Sequence, residues 1–376
     1  MVRRWANLGP VIALDGEAMV LDLPRSAMVV ILACALPAAA WPQQPSPAVS
    51  ACDRPESREF DFWIGEWDVV NRHRAQAQDD PTWYQTGVAT DRVFAAVGGC
   101  AIVERWYGKL SFDEIVGFSV RAFDPATAQW NLVLLWPGRN RPVFGALEGG
   151  FRHHRGEFFT EAADAQGRAV LSRFTFSDIR PDALRWDAAV SPDSGLTWRS
   201  NWIMEFTRRD PEAGPLPDPM ADGVRRCDTP EVYEFDFALG DWQGTATLQD
   251  GSSAPITLRS ESILKGCGVL DLIAVGDRWE GLEVRTFDPT VDAWVAYRLD
   301  TDHPVLHRLE GRVRGREAEL LGTRGAADAP TMVRSRWEWL GASRMRLALS
   351  ESADGGVTWR VTFQAELEPV PSSSQP

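Results

Sequence analysis

Lysine is nearly absent. Lys109 and Lys265 are the only two, so almost all of the 39 cations are arginine. Histidine is scarce, at five, which leaves little material for imidazole-based acid–base chemistry or metal ligation. Basic blocks are missing too. The formal charge is -14, and a chain without clustered Lys and Arg is a poor partner for phosphate backbones, so nucleic acid is excluded. No apolar run reaches the roughly 18–20 residues of a membrane-spanning helix. No P-loop, dinucleotide glycine fingerprint, serine-nucleophile elbow or His-Glu-x-x-His occurs. Without a Cys-x-x-Cys or a zinc-spaced Cys/His cluster, the reading assigns no metal and no cofactor. What is plentiful is aromatic bulk. Seventeen Trp and 17 Phe supply core for most of the 376 residues and exclude extensive disorder.

The amino terminus reads as an export signal. Ala27 to Ala40, AMVVILACALPAAA, is short, apolar, preceded by Arg25 and ends in small residues, the h-region and cleavage pattern of a signal peptide. Residues 1–40 are therefore expected to be removed, leaving Trp41 first. Asp15, Glu17 and Asp22 do not suit an n-region, so the true start is read as lying after Met1. Cys34 permits a lipid-anchor alternative, though Leu32 fits that pattern poorly. The expected location is the periplasm or the extracellular space.

An internal duplication organises the rest. Phe60-Asp-Phe-Trp-Ile-Gly-Glu-Trp67 matches Phe235-Asp-Phe-Ala-Leu-Gly-Asp-Trp242. Gly99-Cys100 matches Gly266-Cys267, and Gly117-Phe-Ser-Val-Arg-Ala-Phe-Asp-Pro125 matches Gly281-Leu-Glu-Val-Arg-Thr-Phe-Asp-Pro289. Leu147-Glu-Gly149 matches Leu309-Glu-Gly311, and Ser191-Pro-Asp-Ser-Gly-Leu-Thr-Trp198 matches Ser352-Ala-Asp-Gly-Gly-Val-Thr-Trp359. The offset falls from 175 to 161, so the second copy has shorter loops. Two domains are expected, over 53–209 and 228–368. A Pro-rich linker at 210–227 separates them, and 369–376 form a disordered tail. Each copy holds two cysteines in matching places, so the simplest pairing is Cys52–Cys100 and Cys227–Cys267; four buried thiols are the alternative.

Pro55-Glu56 and Pro230-Glu231 mark helix starts, and Gly65 and Gly240 end the short helical turns that follow. Strand signals then dominate: 117–123, 130–136, 158–161, 170–176, 184–190 and 198–207. Short strands with Asp-, Pro- and Gly-rich connections predict an antiparallel sandwich or barrel and exclude a doubly wound α/β fold.

A short helical turn followed by Gly-x-Trp, twice, as Gly65-Glu-Trp67 and Gly240-Asp-Trp242, resembles the calycins. The wider set of blocks resembles a group of secreted bacterial lipocalin-like domains of unknown function. The match covers both copies, roughly 290 residues. The resemblance implies an all-β chain of two tandem lipocalin-like antiparallel barrels, each preceded by a short helical turn, with an apolar interior that carries a small molecule. Some relatives bind haem through a histidine, but no histidine here recurs in both copies.

Arg121 and Arg285 sit mid-strand on the face of Phe123 and Phe287. Turned inward, they are candidates for holding a carboxylate head group; paired with Asp61 or Asp236, or exposed on the wall, they are structural. Trp130 and Trp136, on one strand face, and Trp294 in the second copy are candidate ligand contacts, with ordinary barrel core as the alternative. Asp61, Asp236, Glu66 and Asp241 read as caps or solvated acids rather than acid–base pairs. The Ser-x-Asp-x-Gly-x-Thr-Trp blocks read as β-turns, and His153-His154 as an exposed doublet. The leading reading is an exported binder of a small apolar or amphipathic molecule, in an unknown oligomeric state. The alternatives are a filled structural or interaction module, or an enzyme acting on such a ligand.

Overall fold

The chain is described by a computed structural model. It covers residues 51–371 except 76–80, 112, 139–140, 164–166, 220–226, 228, 278, 326–328 and 342. Within strands, the side chains of Asp113, Trp136–Gly138 and Arg141–Val143 lie outside the described set. The expected signal segment with Cys34, and the tail from 372, also lie outside it.

Ten strands follow the first helical turns: β1 (Gly65–Arg74), β2 (Trp83–Ala96), β3 (Ala101–Leu110), β4 (Asp113–Asp124), β5 (Gln129–Gly138), β6 (Arg141–Arg152), β7 (Arg155–Ala163), β8 (Ala169–Ser177), β9 (Ala183–Ser191) and β10 (Arg199–Arg208). Ten more form the second copy: β11 (Gly240–Leu248), β12 (Ser253–Ile263), β13 (Gly268–Val275), β14 (Trp279–Asp288), β15 (Ala293–Asp300), β16 (His307–Arg314), β17 (Glu317–Arg324), β18 (Thr331–Gly341), β19 (Arg344–Ser352) and β20 (Arg360–Pro369). Each set pairs strictly with its sequence neighbours, and β1–β10 and β11–β20 ladders close two antiparallel barrels. The six strand signals of the first copy coincide with β4, β5 and β7–β10; β1 follows only from the Gly-x-Trp turn, and β2, β3 and β6 have no counterpart among them. Among the described residues no helix is long and apolar enough to cross a membrane.

The helical turns are 3-10 turns, at Pro55–Arg58 and Asp61–Trp63 and again at Pro230–Tyr233 and Asp236–Ala238. Each drives one phenylalanine into the end of its barrel. Phe60 meets Trp130 and Phe151 edge-on at 4.8 Å and Phe176 at 5.3 Å; Phe235 meets Trp294 at 4.7 Å. The Gly-x-Trp tryptophans lock the turn to the first strand. Trp67 donates to the Trp63 carbonyl at 2.7 Å, and Trp242 to the Ala238 carbonyl at 2.8 Å. Both barrels are thus stoppered at the same end by the same device.

Disulfides Cys52–Cys100 and Cys227–Cys267 tie each stopper to the turn before the third strand of its barrel, with Cα–Cα distances of 4.7 and 5.4 Å. Two disulfides fit an oxidising compartment outside the cytoplasm. At the opposite end, each late Ser-x-Asp block is a closed hydrogen-bonded turn. Asp193 accepts from the Thr197 backbone N–H at 2.8 Å and from its hydroxyl at 2.6 Å, and Asp354 does the same with Thr358 at 2.9 and 2.6 Å. Trp198 and Trp359 lie under Arg173 and Arg334, at 4.4 and 4.2 Å. His153 and His154 form the β6–β7 turn, exposed and with positive φ.

Strands β4 and β14 are buried on both faces. Val116, Phe118, Val120 and Ala122 point out of the first barrel, yet they join one apolar cluster with Leu270, Leu282 and Val284 of the second. That double burial is why the outward positions named in both strands, which would ordinarily face water, are apolar. Polar contacts cross the same interface. Lys265 pairs with Glu114 at 3.1 Å, the Gly98 backbone N–H donates to Glu280 at 2.7 Å, and Arg105 pairs with Glu261. The two matching turns, Val97-Gly98-Gly99 and Leu264-Lys265-Gly266, are left-handed at all three residues and each reaches over to the other barrel.

Candidate functional site

Alternation along the strands sends every second side chain inward. In the first barrel, β4 carries Ser119, Arg121 and Phe123 inward, and its register sets Glu104 opposite Ser119. These residues build a buried polar floor. The Arg121 guanidinium donates to Ser119 at 2.8 Å and to Glu104 at 3.0 Å, and Ser119 donates to Glu104. The guanidinium also lies over Trp63 at 4.2 Å and Phe60 at 5.3 Å. Asp91 completes the group, fully buried, with neither carboxylate oxygen hydrogen-bonded among the described residues. Burial first, and then the charge of Glu104, pushes its carboxyl well above the usual range. The charged form of Asp91 is thus disfavoured, and the Arg121 guanidinium of the floor is paired with Glu104.

Above this floor is a cavity of about 320 Å³. Its wall is aromatic: Trp106, Phe174, Trp186 and Trp202, with Leu134, Leu147 and Met204. The rings brace one another, Trp186 against Trp202 at 5.3 Å and Phe174 against Trp186 at 4.8 Å. Trp202 is fixed by donation to Asn71 Oδ1 at 3.0 Å and by stacking on His73 at 4.9 Å. Gly145 leaves room in the wall: a Cβ added there would meet only Leu134, at 4.0 Å.

In the second barrel the same level is filled with charge. Arg285 donates to Glu283 at 2.7 Å and lies 2.6 Å from Asp271, an ion-pair contact off the hydrogen-bonding angle. Arg298 reaches the other oxygen of Glu283 at 3.3 Å. Arg285 also lies over Phe235 at 4.0 Å and Trp337 at 4.5 Å. Loss of hydration pushes the Asp271 carboxyl up to about 6, against the pull of Arg285. Above this layer the barrel opens into a wider cavity of about 820 Å³, with Trp279, Arg298, Asp300, His307 and Arg324 on its wall.

The structure separates the residues singled out from sequence. Arg121 lines the first cavity, but its partner is Glu104 rather than Asp61, which pairs with Arg58 at 2.8 Å. Arg285 is sealed within its ion-pair layer and lines neither of the two cavities. Trp130 and Trp294 line neither cavity. They seal the stoppered ends, where their indole N–H groups donate to Glu59 at 3.0 Å and Glu234 at 2.8 Å. Trp136 lies in β5, and its side chain is outside the described residues. Missed in the sequence were Glu104, Ser119 and Asp91. Ser119 shares the alternation of Arg121 and was findable; the other two sit on β2 and β3, and only the register brings them in.

No family profile matches the chain, and no curated protein matches it. Among solved structures it is similar to a protein of unknown function of the DUF3598 family from Nostoc punctiforme, at 11% identity and a TM-score of 0.26, over 84% of this chain and 100% of that one. It is also similar to EF1p2_mFAP2b bound to DFHBI, at 11% identity and a TM-score of 0.23, over 41% of this chain and 99% of that one. The geometry itself establishes two closed, stoppered barrels whose interiors differ in chemistry.

Proposed function

We propose that this is an exported binding protein whose first barrel holds a small, neutral, amphipathic molecule. The observation that carries the reading is the aromatic cavity of about 320 Å³ above the Arg121–Glu104 floor. Pockets of this kind combine a large apolar wall with a few placed polar groups. The floor favours an uncharged head group, because Glu104 already compensates Arg121. Arg121 Nε and Trp63 Nε1 have no hydrogen-bond partner among the described residues and are donors left over for a ligand acceptor. A carboxylate would have to compete with Glu104. Export rests on the Ala27–Ala40 segment and the two disulfides. Amino-terminal sequencing of protein secreted by a Gram-negative host tests it, with Trp41 as the expected first residue.

For the binding reading, the neutral probe N-phenyl-1-naphthylamine is titrated against tryptophan fluorescence. Saturable quenching is expected, and Gly145→Phe, which fills the cavity from its wall, abolishes it. Dodecanol should compete better than dodecanoate at pH 8. Absence of saturable binding, or binding that survives Gly145→Phe, refutes a cavity ligand in the first barrel.

A further inference from the structure

The second barrel has a cavity of its own, unlike the first in size and in chemistry. Three polar atoms on the residues of its wall have no hydrogen-bond partner among the described residues: His307 Nε2, Arg298 Nη2 and Arg334 Nε. His307 is 7% exposed and its Nδ1 faces the Val305 carbonyl at 3.3 Å. A carbonyl can only accept, so Nδ1 carries the proton and Nε2 offers a lone pair. That Nε2 has no hydrogen-bond partner among the described residues. Burial, with Arg298 nearby, holds the ring down to about 4, so it is neutral. Directly across the β15–β16 ladder is Arg298, 3% exposed, whose Nη2 is likewise without a hydrogen-bond partner. An unpaired donor and an unpaired acceptor therefore sit on paired residues.

The wall's arginines are otherwise committed. Arg298 is held by Glu283, Arg324 by Glu351 at 2.7 Å, Arg360 also by Glu351 at 3.6 Å, and Arg334 by Glu319 at 3.8 Å. No lining arginine is free of an acid, so an anionic ligand gains little here. A purely apolar ligand would leave the buried polar atoms unsolvated at a cost. Trp279 supplies one flat apolar face, edge-on to Phe363 at 5.1 Å. A hydroxyl group suits the pair on the wall: it donates to His307 Nε2 and accepts from Arg298 Nη2.

We infer that the second barrel binds a neutral, hydroxyl-rich molecule of the saccharide class, in the cavity above the Arg285 layer. This reading is independent of the site proposed in the first barrel. The two occupants differ in polarity and do not compete.

The test is saturation-transfer NMR and calorimetry on the full chain with glucose and maltose, beside gluconate and glucose 6-phosphate. Saccharide binding is expected, at least tenfold tighter for the neutral sugars than for their anionic counterparts. His307→Leu should weaken it at least tenfold, while His307→Gln, which keeps an acceptor, retains most of it. Should His307→Leu fail to fold by near-ultraviolet circular dichroism, Ala254→Trp narrows the cavity from its half-buried rim and should block the sugar. No saturable binding of either neutral sugar overturns the inference. So does binding indifferent to both His307→Leu and Ala254→Trp, or tighter binding of the anions.

Discussion

Leu134 and Arg298 occupy the same place in the two barrels, each directly across the ladder from the residue two before the internal arginine: Ser119 for Leu134, Glu283 for Arg298. One exchange, Ser–Leu for Glu–Arg, turns that level from cavity wall into a buried ion layer. Breaking a buried pair from one side costs about 3–5 kcal/mol, whereas removing both members is close to neutral. Arg298→Leu alone should lower stability by that amount in urea unfolding. Glu283→Ser with Arg298→Leu should recover most of the loss. It should also raise the binding stoichiometry of N-phenyl-1-naphthylamine from one to two.

Arg121→Leu strands Glu104 in the first barrel's floor. A loss of about 3–5 kcal/mol is expected. Adding Glu104→Gln should return much of it. A double-mutant cycle by urea denaturation checks this; strict additivity would mean that the 3.0 Å contact is energetically idle.

Each disulfide closes a loop of 40 or 48 residues. Chain entropy puts the stabilisation at about 4 kcal/mol apiece. Replacing Cys52 and Cys100 together by Ala should cost about that much, measured under non-reducing conditions. Replacing Cys227 and Cys267 should cost a similar amount.

Two buried groups of the second barrel should give opposite pH slopes. His307 is lowered to about 4 from 6.5, so the unfolded chain takes up its proton first. Its contribution is complete above pH 6.5 and is lost as pH falls towards 4. Asp271 is raised to about 6 from 3.8, so its contribution is present at low pH and is lost as pH rises through 6. Each slope amounts to about 3 kcal/mol at most. The stability gap between wild type and His307→Leu should therefore widen from pH 4 to 6.5, and the gap to Asp271→Asn should move the other way. Urea midpoints at several pH values measure both.

The duplication, the short helical turns and the disulfide pairing were legible because each rests on short local motifs repeated in order. The cavities were not. Arg121 can be placed on a face from alternation alone, but Glu104 reaches it through the β3–β4 register and Asp91 from a strand beyond, and register is a property of the closed sheet. Trp130 illustrates the reverse error. Parity puts it on the inner face correctly, yet the stopper Phe60 fills the space in front of it, so inward does not mean ligand-facing. His307 carried no sequence signal at all, since what sets it apart is a ring nitrogen without a hydrogen-bond partner among the described residues.

Because β1 closes on β10 and β11 on β20, neither sheet has a free edge. An open sheet offers a row of unpaired N–H and C=O groups that recruits strands from other chains. Here every strand is capped by a neighbour, so self-templated aggregation has no starting point in the folded molecule. For a fold that keeps a hollow, aromatic interior, closing the sheet on itself therefore also limits association between one molecule and the next.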